Sequence, residues 1–130
     1  SGANAVIEGC DSNGCEYMTG GTIVILGEVG DNFAAGMTGG MAFIYDQKND
    51  FEKKVNPETV VWQRVETEYW KNLLKNLVQK HFEETKSKIA EKIISDYENK
   101  KNYFYQVCPK EMLNKLDNPI TIKDEINIAI

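Results

Sequence analysis

Glycine is missing from most of this chain: all ten glycines lie at or before Gly40, so the remainder lacks the glycine turns that the first part has. Histidine occurs once, at His81, which leaves no pair of imidazoles for a metal centre. The three cysteines, Cys10, Cys15 and Cys108, are an odd number without a C-x-x-C pair, and they support neither a disulfide framework nor a zinc site. Thiols packed as small apolar groups are expected instead. No apolar run has the length needed to span a bilayer, and the N-terminus lacks the basic-then-apolar layout of a signal peptide. The expected location is the cytoplasm, or an organelle if the source is eukaryotic. Basic residues are scarce at the front: residues 1–50 carry one against seven acidic side chains, whereas residues 51–130 carry 14 against 13. That acidic front argues against nucleic acid and against an anionic membrane surface as partners.

What the first 46 residues do have is a repeat. Met18-Thr19-Gly20-Gly21 recurs as Met37-Thr38-Gly39-Gly40, 19 residues on. A shift of 19 aligns Ala5 with Val24 and Phe43, Val6 with Ile25 and Ile44, and Ile7 with Leu26 and Tyr45. It also aligns Asn13 with Asn32, and Gly20-Gly21 with Gly39-Gly40. Apolar segments at one phase and turn residues at another are the mark of stacked coils, and 19 residues is close to three β faces of about six residues each. The expected fold is therefore mainly a β solenoid, the last two to three coils of a parallel β-helix, followed by an α-helical C-terminal segment. A pair of Thr-Gly-Gly turns in an ordinary β-sandwich is the alternative. A chain that opens at Ser1, one residue before a glycine already in phase, is expected to be the C-terminal part of a longer polypeptide.

Composition changes after Tyr45-Asp46, which divides the chain into a glycine-repeat piece, residues 1–46, and a connector with a helical segment, residues 47–130. A short extended piece is expected at Val60-Val61-Trp62, introduced by the turn-prone Asn56-Pro57. From Thr67 the period becomes helical, with Trp70, Leu74, Val78 and Phe82 at i, i+4 spacing. Thr67 is placed to cap this first helix and Ser87 a second, whose apolar face is Ile89, Ala90, Ile93, Ile94 and Tyr97. The run Tyr103 to Val107 reads as a strand closed by Cys108-Pro109. Pro109 starts a short third helix through Met112, Leu113 and Leu116. The tail from Ile120 to Ile130 reads as a terminal strand or a poorly ordered end.

The search for chemistry is largely negative. His81 lies on the apolar stripe of a helix with no Ser, Cys or carboxylate placed by sequence to form a triad, so a packed or capping histidine is expected. Cys15, between Gly14 and Glu16, has no basic neighbour to lower its pKa. The loop from Gly27 to Gly36 lacks both G-x-G-x-x-G spacing and a Gly-Lys-Ser/Thr ending, and its Glu28 and Asp31 would repel a phosphate. Asp11 with Glu16, or Asp46 with Asp50, could hold a hard cation, but a solvated acidic rim is the simpler account. The expected number of catalytic, cofactor-binding and metal-binding residues in this segment is none.

The run from Leu26 to Asp46, with Gly14-Cys15-Glu16-Tyr17-Met18-Thr19-Gly20-Gly21 before it, closely resembles the C-terminal domain of the glutamate synthase large chain. The spacing of Leu77-Val78, His81, Thr85, Ser87, Ala90, Ile94 and Phe104 to Pro109 is similar to that family's helical end. One departure is local: the family's Gly-x-Gly-Asp-His-Gly reads Gly9-Cys10-Asp11-Ser12-Asn13-Gly14 here. The resemblance implies a right-handed parallel β-helix serving as a non-catalytic scaffold in an oxidoreductase that makes two glutamates from glutamine and 2-oxoglutarate. It implies FMN and an iron–sulfur cluster elsewhere in the parent enzyme, none in this segment. The implied partners are the amidotransferase and FMN-binding synthase domains of the same polypeptide. Two alternatives stay open: a β-helix subunit of the formylmethanofuran dehydrogenase type, and a stand-alone binding module.

Overall fold

The computed structural model describes residues 4–9 and 14–122. Five strands, β1 (Asn4–Ile7), β2 (Thr19–Ile25), β3 (Gly39–Tyr45), β4 (Val60–Arg64) and β5 (Phe104–Pro109), form one open mixed sheet in the order β1-β2-β3-β5-β4. The first three are parallel, and β5 runs antiparallel to both β3 and β4. Three helices, α1 (Glu68–Thr85), α2 (Lys88–Ser95) and α3 (Tyr97–Lys100), complete the regular structure.

The solenoid expectation is thereby corrected to a small mixed α/β domain. A β-helix needs two or three strand faces in every coil, but each 19-residue repeat here supplies a single strand. Residues 26–38, which should have formed the other faces, hold turns with positive φ at Asn32 and Ala34 and one isolated bridge from Phe33 to Val55. The parallel series also stops at β3, whose free side is taken by antiparallel β5.

Register departs from the repeat at both steps. Between β2 and β3 the shift is the expected 19 over the apolar residues, Val24 opposite Phe43 and Ile25 opposite Ile44, but an irregularity between Thr19 and Thr22 makes it 20 at the glycines, so Gly39 lies opposite Thr19 and not Gly20. Between β1 and β2 it is 18, so Val6 lies opposite Val24 and Ile7 opposite Ile25. Because side chains alternate along a strand, that one-residue slip decides which face each presents. Val6, Val24 and Phe43 pack toward the helices, whereas Ile7, Ile25 and Ile44 pack on the opposite face. The Asn13–Asn32 pairing lies outside the described residues.

Both faces of the sheet are covered, as expected where parallel strands sit inside a mixed sheet. On one side Val24, Met41, Phe43 and Phe104 meet Trp70, Leu74 and Val78 of α1 and Ala90 and Ile93 of α2. On the other, Ile25, Ala42, Ile44 and Val107 are sealed by the loop residues Val29, Phe33, Met37, Phe51 and Val55. Every residue of β3 is buried in consequence.

Local signals explain most helix ends. Ser87 caps α2 by accepting the Ala90 N–H at 3.2 Å. Thr67 occupies the cap position of α1 in extended conformation, but its hydroxyl accepts no amide and is buried without a partner. The first helix also runs on to Thr85, with Lys86 in the left-handed region (φ 57°) donating its N–H to the Phe82 carbonyl, so the helix connection is shorter than expected. After β5 only a 3-10 turn, Lys110–Met112, stands where a third helix was expected. Trp70 Nε1 donates to the carbonyls of Asn118 and Pro119 at 3.0 and 3.1 Å, and pins that stretch to α1. The part of the tail from residue 123 lies outside the described residues.

Candidate functional site

The sequence candidates are spent on structure. Asp46, at the end of β3, is 6% exposed, and its carboxylate accepts the N–H groups of Asp50 and Phe51, each at 3.2 Å. Asp50 turns away to Lys54 at 3.4 Å. Asp46 closes the turn before the 3-10 segment Phe51–Lys53. Asp11 lies outside the described residues, so its pairing with Glu16 is not tested. Among the described residues no group of three or more His, Cys, Asp or Glu side chains is arranged to hold a metal ion.

The loop from Gly27 to Gly36 is likewise no phosphate cradle. Phe33 and Ala34 are fully buried, and their N–H groups already donate to the carbonyls of Lys54 and Gly14 at 2.9 and 2.7 Å. Glu28 is joined to Lys48, whose hydrogen bond and charge hold the Glu28 carboxyl below its usual value. Cys15 packs half-buried against the second core. Cys108 is fully buried, and burial pushes its thiol up to about 11, far from a reactive thiolate at neutral pH.

His81 has a partner that sequence spacing did not reveal. Its Nε2 lies 3.0 Å from Oε2 of Glu8, 73 residues away, just beyond the end of β1. The Thr85 hydroxyl donates to the His81 carbonyl at 2.8 Å and accepts the Ser87 N–H at 3.2 Å, which fixes the turn between α1 and α2 beside the pair. Hydrogen bonds from His81 first, then from Ser87, hold the Glu8 carboxyl below its ordinary 4.5, with burial opposing and the His81 charge adding to the effect. Ser, His and Glu are therefore gathered, but in the wrong order for nucleophilic catalysis. In a triad the imidazole stands between hydroxyl and carboxylate, whereas here the carboxylate is the shared partner. The arrangement is a clasp that ties edge strand β1 to the helical hairpin.

The clasp has a measurable acid limb. With its folded pKa below the unfolded value, Glu8 binds fewer protons in the folded state, so its contribution is present above about pH 4.5 and is lost as pH falls through the lowered folded value. Glu8→Gln should lower Tm near neutrality, and the gap from the parent protein should close on acidification. The effect should be modest, since half of the Glu8 side chain is open to solvent. A gap that is independent of pH between 3 and about 7 would show that the clasp does not titrate.

No helix among the described residues is long and apolar enough to cross a membrane. The family model described as GXGXG motif matches residues 1–110. Over 127 residues the chain is 52% identical to the glutamate synthase (NADPH) large chain of Azospirillum brasilense, covering 98% of this chain and 8% of that one. It is 44% identical over 125 residues to the glutamate synthase (NADH) of Schizosaccharomyces pombe, with 96% and 6% covered. It is 47% identical over 107 residues to the chloroplastic ferredoxin-dependent glutamate synthase of Spinacia oleracea, with 82% and 7% covered. The chain thus spans less than a tenth of the length of these relatives. With most of its residues matched by one family model, the chain belongs to the GXGXG motif family.

Proposed function

We propose that this chain is a structural, non-catalytic segment of a glutamate synthase large chain, the enzyme that forms two glutamates from glutamine and 2-oxoglutarate. One observation carries the reading. Relatives named for three different electron donors, NADPH, NADH and ferredoxin, share this stretch at 44–52% identity, so its role is one that does not depend on the donor. Three of the side chains that sequence reading weighed for chemistry support it, because Asp46, Asp50 and His81 are occupied in a turn and ion pairs. FMN and the iron–sulfur cluster would then be bound by other parts of the longer polypeptide, and this segment would pack against its amidotransferase and FMN-binding synthase domains. Residues 1–46 would supply the glycine-rich strands, and residues 47–130 the connector and the helical cover. The location would be the cytoplasm, or an organelle in a eukaryotic source.

The isolated chain provides the test. Purified protein should be colourless, without stoichiometric flavin or iron–sulfur absorbance, and should neither hydrolyse glutamine nor form glutamate. A yellow or brown protein with bound cofactor, or turnover of glutamine, would overturn the structural reading.

A further inference from the structure

Where α2 passes over the end of β3, Lys88, Lys92 and Lys100 surround a groove of about 330 Å³ floored by Tyr45, Ile89 and Ile93. In a chain of net charge −5, three lysines converge here. None of them has a carboxylate within ion-pair distance among the described residues, and the one contact of their ammonium groups is Lys100 over the Tyr103 ring at 5.8 Å. Of the acidic groups nearby, Asp96 is engaged by the Asn99 side chain at 2.9 Å, and Glu28, Asp46 and Asp50, which line the adjoining groove beyond Tyr45 and Ile89, are held by Lys48, backbone N–H groups and Lys54.

The position of Lys88 makes the cluster harder to explain as an ordinary solvated face. It is the first residue of α2, where a cation opposes the helix dipole and lowers helix stability. Lys92, one turn on, adds an unfavourable like charge at i, i+4, although its own place in the last turn suits the dipole. Lys88 is thus the residue set against the helix, with Glu91 in the first turn offsetting part of its charge. The floor is apolar, and its accessible part is the half-buried Ile89, since Tyr45 and Ile93 are buried.

We infer that this groove docks an acidic peptide segment, with carboxylates meeting Lys88, Lys92 and Lys100 and one aromatic or large aliphatic side chain seated on Ile89. The inference rests on charge complementarity and stands whether or not the glutamate synthase reading does.

The probe is an acetylated pentapeptide of glutamates around a central phenylalanine, titrated into the nitrogen-15-labelled chain and followed by amide shifts. Binding in the range of about millimolar or tighter should move the signals of Gln47, Ile89 and Lys92, and should weaken in about 0.5 M salt. Lys88→Glu with Lys92→Glu should reduce affinity about tenfold or more, with the Lys88→Gln, Lys92→Gln protein in between. Melting curves no lower than the parent's would show that the variants keep their fold. The inference is overturned if the peptide moves nothing, or if a lysine pentapeptide around the same phenylalanine binds equally well. It is equally overturned if free glutamate at equal carboxylate concentration reproduces the shifts, or if both lysine variants bind like the parent.

Discussion

Gly39→Val should destabilise the protein by about 3 kcal/mol or more and lower Tm by on the order of 10 °C. A Cβ built on Gly39 would stand 2.1 Å from the Thr19 carbonyl oxygen and 2.6 Å from its carbon, distances no side chain sustains. The neighbouring strand cannot simply move off. The Met18 carbonyl accepts the N–H groups of both Thr38 and Gly39, at 2.9 and 3.2 Å, and the pairing from Thr22–Met41 to Ile25–Ile44 locks the strands just beyond. The next residue, Gly40, adds a second constraint: its φ of 82° lies in the left-handed region, and a Cβ there would be 2.8 Å from the Gly21 carbonyl oxygen. Gly9→Ala is the milder comparison: its added Cβ would sit 3.3 Å from the Glu28 carbonyl oxygen, a tight contact without the overlap found at Gly39. Thermal melts of the two variants should separate widely; a Gly39→Val protein that melts with the parent would show that β2 and β3 are not held so close.

The repeat that pointed to these glycines was legible because turn residues and apolar residues kept fixed phases, and it located β2 and β3 with the 19-residue shift of their apolar halves, but not the irregularity that sets Gly39 opposite Thr19. It misled about closure. Periodicity reports how far apart successive strands begin, but not whether the residues between them form further strands, and Phe33, Ala34 and Met37 bury themselves from turns. The aromatic run of β5 was legible as a strand, yet its place between β3 and β4 depends on partners some 40 to 65 residues away in sequence, which local pattern does not encode. The capping role of Ser87 was visible from its position before an apolar-periodic run. Thr67 looked the same, but tertiary packing buried its hydroxyl away from the amides it might have capped. Glu8 carried no sequence signal at all: a single carboxylate after a strand acquires its meaning only when the fold brings His81 to it.

The clasp, the glycine contacts and the occupied acidic groups are consistent with the proposed structural role, and a segment exchange tests that role most directly. The matched stretch of the Azospirillum brasilense glutamate synthase large chain would be replaced by this chain and glutamate formation compared with the parent enzyme. At 52% identity over 127 residues the exchange asks only that the strands, clasp and helical cover be rebuilt. The chimera should keep glutamate formation within about tenfold of the parent, a difference of about 1.4 kcal/mol in the barrier. The same chimera carrying Gly39→Val should lose activity together with folded protein, because the substitution acts on strand packing. A chimera of the parent's size and thermal stability that forms no glutamate would contradict the account, since a correctly folded segment would then have failed in the role assigned to it.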